Sequence, residues 1–313
     1  MIGRVVEVQT EGSYLCVERG FLKVSLRGEE RGRVPLDDIA ALILSAHGLS
    51  HSSNLFTALA ERNCPVVFCG SHFRPVGLLW PVDSHHREAR RMDAQLAAKR
   101  PLRKRLWRQV VRLKISMQAS ALEMVGGPAA ALHRMADKVQ LGDSGNVEGR
   151  AARIYWPALM GAAFRRSPHL DGANAQLNYG YAIVRAMVAR HLMGAGLHPG
   201  LALHHANEGN PMRLVDDLME PFRPFVDVLV HQMLGLGWVA VDALSKERLG
   251  LLPATSIPTS EGRSPLSLVC ERWCQSLAAV YLGEARELCF PMPEPALLRA
   301  ALATGTRRSG TSE

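Results

Sequence analysis

Residues 203–228 carry the densest group of reactive side chains in the chain, with two histidines and five acids. Asp217 and Glu220 lie three residues apart, so on a helix both carboxylates share one face and can converge on a cation or on each other. His205 lies fifteen residues before Glu220 and can fold back towards it across a loop. Mixed nitrogen and oxygen ligands of this kind suit Mn²⁺, Zn²⁺ or a catalytic Mg²⁺ site.

A helix must position these acids. Asn210 followed by Pro211 is typical of an N-cap and a first helical residue, so the helix is predicted to begin at residue 211. A competing interpretation remains open, in which Arg213 and Arg223 pair with the acids on a solvated, purely structural helix face.

A further acid, Glu148, follows a helix start within LGDSGNVEGRAARIYW. Asp143, Ser144 and Asn146 are alternative N-caps for this helix. A carboxylate in a first turn interacts favourably with the helix dipole. From its position alone, Glu148 is therefore a local capping residue.

Basic residues are concentrated in one stretch. The chain carries a net charge of +8, while residues 86–114 alone contain eleven Lys or Arg and two acids. Pro101 is predicted to start a second helix in this stretch. We expect the stretch to bind DNA phosphates without reading sequence, with a plain solvated face and a membrane-surface helix as the alternatives. The residues predicted to contact DNA are Arg87, Arg91, Arg103, Arg105, Arg108, Arg112 and Lys114.

The N-terminal region has alternating apolar residues broken by glycine-containing turns, which predicts short strands. The remainder has helical patterns, among them a long helix over residues 174–193 with Tyr179 and Tyr181 as packing residues, and a polar loop at 253–265. The predicted fold is α+β, with a small N-terminal β-sheet or sandwich domain (1–82), a larger all-α catalytic domain (83–303) and a disordered tail (304–313).

Composition narrows the class of protein. At 313 residues and 47% hydrophobic content the chain can form two buried cores. The six cysteines lack paired zinc-site spacing and no secretory segment follows the N-terminus, so reduced thiols in the cytoplasm are expected. The sequence has no uninterrupted run of about 18 apolar residues, which argues against a membrane span.

Two motifs together resemble the Cas1 family of CRISPR-associated proteins, with type II members the most similar. One motif is GNVEGRAARIYW, and the other is HHANEGNP followed closely by DDLMEPFRP. PLDDI, ALAER and RLWRQVVRLKISMQA extend the resemblance over most of the chain. The resemblance implies that Glu148, His205 and Glu220 bind Mg²⁺ or Mn²⁺. The family's spacing favours His205 over His204, and a contribution from His204 stays open. Auxiliary positions near this site are Asp217, Asn207, Asn178 and Arg185.

The resemblance also implies an activity and partners. The activity is insertion of short foreign DNA into a CRISPR array by attack of a 3′-hydroxyl on the repeat phosphodiester. The partners are double-stranded DNA, a second copy of the chain joined through the N-terminal domain, and a Cas2 dimer that bridges two such dimers. Two alternatives are kept: a DNA-binding protein without catalysis, and a metallohydrolase of small molecules, which would leave the basic stretch unexplained.

Overall fold

The computed structural model describes residues 4–70, 75–79, 88–259 and 262–290. A β-rich N-terminal lobe precedes a mostly helical lobe, so the predicted α+β fold is confirmed. Arg87, the predicted boundary at 82/83 and the predicted tail 304–313 lie outside the described residues. The domain limits therefore stay predictions.

The N-terminal lobe contains two four-stranded sheets. In one sheet the strand order is β1-β5-β7-β8, with β1, β5 and β7 parallel and β8 antiparallel to β7. The other has the order β4-β3-β2-β6. The elements are β1 (Arg4–Val8), β2 (Ser13–Glu18), β3 (Phe21–Leu26), β4 (Glu29–Pro35), β5 (Ile39–Leu44), β6 (Ser50–His51), α1 (Ser53–Ala60), β7 (Val66–Cys69) and β8 (Pro75–Leu79).

Strand β5 is buried on both faces. Leu42 and Leu44 pack into the core of the N-terminal lobe, while Ala41 and Ile43 join the core of the helical lobe. Side chains alternate between the two faces of a strand, so one strand contributes to both cores. The sheet that contains β5 is thus the layer on which the helices rest.

The helical lobe is built from nine helices within the described residues. They are α2 (Glu88–Leu96), α3 (Arg100–Met124), α4 (Ala130–Asp137), α5 (Val147–Met160), α6 (Ala173–Gly194), α7 (Arg213–Met219), α8 (Arg223–Gly235), α9 (Ala243–Gly250) and α10 (Leu266–Tyr281). The lobe also contains a two-stranded antiparallel hairpin of β9 (Ser256–Thr259) and β10 (Gly262–Pro265). This hairpin is an exception within the predicted helical lobe, and the prediction of a polar loop at 253–265 was wrong.

Helix α6 runs through the centre of the lobe, and its bounds agree with the predicted helix over 174–193 to within one residue at each end. Gly180 allows α6 to approach α8 closely, because a Cβ at this position would lie 2.3 Å from Cγ1 of Val226. A larger residue at 180 would push apart the two helices.

Helix α7 begins at Arg213, two residues later than predicted. The Asn210 side chain accepts a hydrogen bond from the backbone N–H of Met212 at 3.0 Å. Asn210 and Pro211 therefore form an Asx turn that leads into the helix, since the local side-chain bond competes with helical geometry.

A polar cluster joins the two lobes. Tyr179 donates to the Glu7 carboxylate at 2.5 Å, and Nζ of Lys246 lies 3.4 Å from the same carboxylate. Glu7 and Lys246 have only 7% and 8% of their side chains exposed. Tyr179 was predicted to serve packing alone, but it also makes this inter-lobe bond.

His191 on α6 gives a pH-dependent contribution to stability. Its Nε2 lies 2.8 Å from Oγ of Ser267 on α10. Burial, aided by the charge of Arg190, lowers the pKa of His191 to about 3. Between the unfolded value near 6.5 and this folded value, only the unfolded chain binds the proton, so the protein loses stability as the pH falls.

We expect the free energy of unfolding to fall by about 2 kcal/mol from this residue between pH 7 and pH 5. His191→Gln lacks the titrating group and should lose correspondingly less stability over this range. Denaturant unfolding at pH 5, 6 and 7 measures the difference. Parallel pH profiles for the two proteins would contradict the assignment.

Candidate functional site

Glu148 lies in the first turn of α5, whose start is fixed by two side chains. Asn146, in a left-handed conformation with φ of 46°, accepts from the backbone N–H of Gly149 at 3.2 Å. Asp143 accepts from the N–H groups of Val147 and Glu148 at 2.8 and 3.0 Å. A Cβ at Gly149 would lie 2.6 Å from Oδ1 of Asn146, so glycine suits this cap. With the helix start satisfied in this way, the Glu148 carboxylate is available for other contacts.

Glu220 follows α7 directly and begins a single 3₁₀ turn that leads into α8. Its side chain is 6% exposed, and Nε of Arg223 lies 3.1 Å from its Oε1. Burial opposes ionisation of this carboxyl, but the charges of Arg223 and Lys114 outweigh burial and lower its pKa to about 2. Glu220 is therefore a buried carboxylate that stays charged.

Lys114 of α3 brings the two acids together. Its Nζ lies 2.5 Å from Oε1 of Glu148 and 2.5 Å from Oε2 of Glu220, and its side chain is 13% exposed. The expectation that Lys114 faces DNA needs correction in this structure. Lys114 follows the buried Val110 and Val111 by four and three residues, which places it on the inner face of the helix.

His205 lies in the loop before α7 and is oriented by Asp217. Its Nδ1 lies 2.6 Å from Oδ1 of Asp217, which leaves Nε2 as the nitrogen available to a ligand. Hydrogen bonding to Asp217 raises the pKa of His205, and the charge of Glu220 acts in the same direction, against burial. A carboxylate that fixes a histidine by its second nitrogen is a common support for metal-binding histidines.

Asp217 also holds the loop backbone. The buried carboxylate accepts from the N–H groups of Leu203, His204 and His205 at 2.6, 3.1 and 3.3 Å. Asp217 thus fixes both the backbone and the imidazole of His205. Its auxiliary role at a metal site stays a prediction.

Trp107 of α3 packs against both histidines. Its indole ring stacks on His204 with centroids 4.5 Å apart, and it meets His205 edge-on at 5.7 Å. Trp107 was not among the predicted site residues. It lies two helical turns before Lys114, so a search for residues on the same face as Lys114 would have found it.

Asp227 connects the helix of Glu148 to the helix after Glu220. Tyr155 of α5 and Tyr181 of α6 each donate to its carboxylate, at 2.8 and 2.5 Å. Burial raises the pKa of Asp227 to about 6, although both hydrogen bonds oppose the shift. The guanidinium of Arg223 lies over the Tyr181 ring, 4.6 Å from its centroid. These contacts hold α5, α6 and α8 in a fixed arrangement around the acid pair.

The donor set fits a hard divalent cation in part. The carboxylates of Glu148 and Glu220 both contact the ammonium group of Lys114. Oε2 of Glu220 is shielded from solvent, and its contact with Lys114 lacks hydrogen-bond geometry. Across the described ranges, no group of three His, Cys, Asp or Glu side chains is close enough to form a complete metal site. A metal site of Glu148, His205 and Glu220 stays a prediction, with the acid pair as its assembled part.

The other auxiliary residues have local partners. Arg185 pairs with Asp216 at 2.7 Å and lines a cavity of about 610 Å³ between α6, the loop before α7 and strand β8. Asn178 accepts from Arg166 at 2.7 Å. Asn207 lines the same cavity as Arg185 and accepts from the backbone of Gly209 at 3.0 Å. The contacts of these three residues are therefore to partners other than Glu148 and Glu220.

The basic face of α3 is present but uneven. Arg103, Arg105 and Arg112 are exposed, with Arg105 bonded to the carbonyl of Arg286 and Arg112 paired with Asp137 at 3.4 Å. Arg108 is half-buried. Arg91 on α2 donates to the carbonyl of Ala195 at 2.6 Å, so it also fastens α2 to the end of α6.

Two further findings concern the chain as a whole. All six cysteines are free thiols, as expected. In the part of the chain that the structure describes, no helix is both long enough and apolar enough to cross a membrane.

The fold and site together define a two-lobed protein with an acid pair, Glu148 and the buried Glu220, on the inner side of a basic helix. The family model for CRISPR-associated protein Cas1 matches residues 6–252. The CRISPR-associated endonuclease Cas1 of Neisseria meningitidis serogroup C is 39% identical over 228 residues, covering 72% of this chain and 74% of the relative. The chain belongs to the Cas1 family of CRISPR-associated proteins.

Solved structures show the same fold. A casposase bound to integration product matches with a TM-score of 0.80 and 18% identity, covering 93% of this chain and 94% of that one. A chain of a Cas6-RT-Cas1–Cas2 complex matches with a TM-score of 0.75 and 16% identity, covering 93% of this chain and 36% of that one. At these identities the likeness concerns the fold.

Proposed function

We propose that this protein is a divalent-metal-dependent DNA endonuclease and integrase of the cytoplasm that inserts short foreign DNA into a CRISPR array. One observation carries the proposal. Glu148 and Glu220 come from separate elements and converge on a single cation position on the inner side of α3, whose outer side is basic.

In the reaction, the 3′-hydroxyl of the incoming DNA attacks a phosphorus at the repeat edge. A new phosphodiester forms as the bond to the target strand's 3′-oxygen breaks, and that oxygen leaves with a proton. A bound Mg²⁺ or Mn²⁺ would supply the positive charge that polarises the target phosphate and stabilises the leaving oxygen. No nucleophilic side chain is required, because positioning and charge neutralisation supply most of the catalysis.

The chain's own residues have distinct roles in this proposal. Glu148 and Glu220 would hold the ion, and His205 would be the third ligand through Nε2, the nitrogen that does not contact Asp217. Asp217 and Trp107 hold the His205 ring in place through its Nδ1 atom and its edge. The exposed Arg103, Arg105 and Arg112 on α3 bind DNA phosphates and carry no base recognition.

The proposed assembly is two homodimers of this chain bridged by a Cas2 dimer, with the N-terminal lobe as the dimer interface. Support for it comes from a structural neighbour described as a Cas1–Cas2 complex, and support for DNA joining from a casposase with its integration product.

A DNA-binding protein without catalysis is the second candidate, and a specific observation favours it. Glu220 is paired with Arg223 and Lys114, so the acids already have structural partners. Arg213, by contrast, donates to the carbonyl of Gly200. In this candidate the acid pair only neutralises the charges of Lys114 and Arg223.

Metal dependence separates the two candidates. The assay incubates a duplex with free 3′-hydroxyl ends with a supercoiled plasmid carrying a repeat, in the presence of the Cas2 partner. We expect joined product with Mn²⁺ or Mg²⁺ and none in excess EDTA, because the acid pair then lacks the ion. DNA binding measured in parallel is the control. Binding without joining, even with both ions tested, would favour the second candidate.

A further inference from the structure

Lys114 has a position that DNA binding does not explain. Its ammonium group reaches from the inner face of α3 into the acid pair and contacts one oxygen of each carboxylate at 2.5 Å. The bulk of its side chain is covered, with 13% exposed. An ammonium at this point lies where a metal ion shared by Glu148 and Glu220 would have to be.

The charges around the acid pair show why a metal ion and the ammonium of Lys114 cannot both lie between the two carboxylates. Lys114 and Arg223 face the carboxylates of Glu148 and Glu220, so the two positive side chains balance the two negative ones. Oxygen ligands hold Mg²⁺ at roughly 2.0–2.1 Å. An ion at that distance from both carboxylates would be in contact with the ammonium, and like charges in contact repel strongly in a buried site.

Of the two basic side chains, Lys114 is the one able to leave. Arg223 is held by the ring of Tyr181 at 4.6 Å as well as by Glu220. Lysine is a single-point charge on a flexible four-carbon stem, whereas arginine binds through a rigid planar group. Rotation of the stem alone can therefore withdraw the ammonium of Lys114.

We propose that Lys114 is a resident cation, which holds Glu148 and Glu220 together when no metal is bound and is displaced when a divalent ion binds between them. The proposal rests on the metal site of the proposed function. It predicts that the lysine weakens metal binding while it stabilises the metal-free protein.

The test compares Mn²⁺ binding to the free protein, without DNA, in wild type and Lys114→Met. Methionine keeps the unbranched stem and removes the charge. Lys104→Met on the exposed side of the same helix is the matched control. Electron paramagnetic resonance of unbound Mn²⁺ gives the dissociation constant. We expect K114M to bind Mn²⁺ about tenfold to a hundredfold more tightly than wild type, with K104M unchanged.

Equal or weaker Mn²⁺ binding by folded K114M would overturn the proposal. Glu148→Gln and Glu220→Gln distinguish this failure from failure of the metal site itself. If both variants lose Mn²⁺ while K114M binds as wild type does, the metal site is supported and the displacement of Lys114 is wrong. If neither variant changes Mn²⁺ binding, the proposed metal site is wrong, and the displacement of Lys114 is wrong with it.

A measurement on the wild-type protein covers the case in which K114M does not fold. Acetic anhydride labels accessible lysines, and mass spectrometry gives the extent of labelling at each one. We expect Lys114 to be protected in EDTA and labelled several-fold faster with saturating Mn²⁺, while Lys104 is labelled equally in both. Equal protection of Lys114 in the two conditions would overturn the proposal.

Discussion

Glu220→Gln is expected to lower the rate of strand transfer by about a thousandfold, because the variant keeps the side-chain size but removes the buried charge that would hold the ion. The strand-transfer assay with Mn²⁺ and the Cas2 partner measures the effect. DNA binding should be retained, since the basic face of α3 lies on the other side of the helix. Joining at a wild-type rate would remove Glu220 from the catalytic site.

A stability loss accompanies this variant and has to be separated from the catalytic effect. The neutral amide would leave Arg223 without its carboxylate partner, and breaking a buried ion pair from one side costs about 3–5 kcal/mol. Rates should therefore be compared well below the unfolding midpoint of the variant. Glu208→Gln, which changes an exposed glutamate in the loop after His205, is the matched control and should leave both rate and stability unchanged.

Asp217→Ala is expected to have the second-largest effect, on stability and catalysis together. The three backbone N–H groups that Asp217 accepts from, one buried and two partly buried, would lose their partner, and we expect a loss of about 3 kcal/mol in unfolding free energy. His205 would lose the bond that orients its ring, and strand transfer should fall about tenfold to a hundredfold. Thermal or denaturant unfolding and the joining assay measure the two effects.

The ¹⁵N chemical shifts of the His205 imidazole report whether its ring is still fixed. They should show one tautomer, protonated at Nδ1, in the wild type and a mixture in Asp217→Ala. Asp216→Ala is the neighbouring control, because Asp216 pairs with Arg185 and not with His205. A fixed tautomer in Asp217→Ala would mean that the loop is positioned by other contacts.

Short-range patterns in the sequence predicted most of the elements. Helix α6, the helix start near Glu148 and the break at Pro101 follow from periodicity and capping, which depend on neighbouring residues. The hairpin at 256–265 was missed, because Pro258 and Pro265 lie in its short strands and favour a loop interpretation. The start of α7 was misplaced for a related reason, since the Asx turn of Asn210 competes with an N-cap.

The acid pair of the site was predictable only through the family motifs. Glu148 and Glu220 are far apart in the chain, and spacing alone cannot show that α5 and the turn after α7 meet. The place of Lys114 was mistaken because its charge was grouped with the arginines of the basic stretch. Its spacing of four and three residues from the buried Val110 and Val111 already indicates the inner face of the helix. On that face a lysine is covered by neighbouring residues and does not belong to the exposed basic surface.

The double burial of β5 has a mechanical consequence. Because Ile43 belongs to the core of the helices and Leu42 to the core of the β-rich lobe, neither lobe can rotate against the other without exposing apolar surface. The inter-lobe bonds of Glu7 add to this restraint. The two lobes are thus expected to move as one body, so a partner that binds the N-terminal lobe also sets the orientation of the acid pair. If the chain binds DNA as proposed, adjustments to the DNA then fall to side chains and loops.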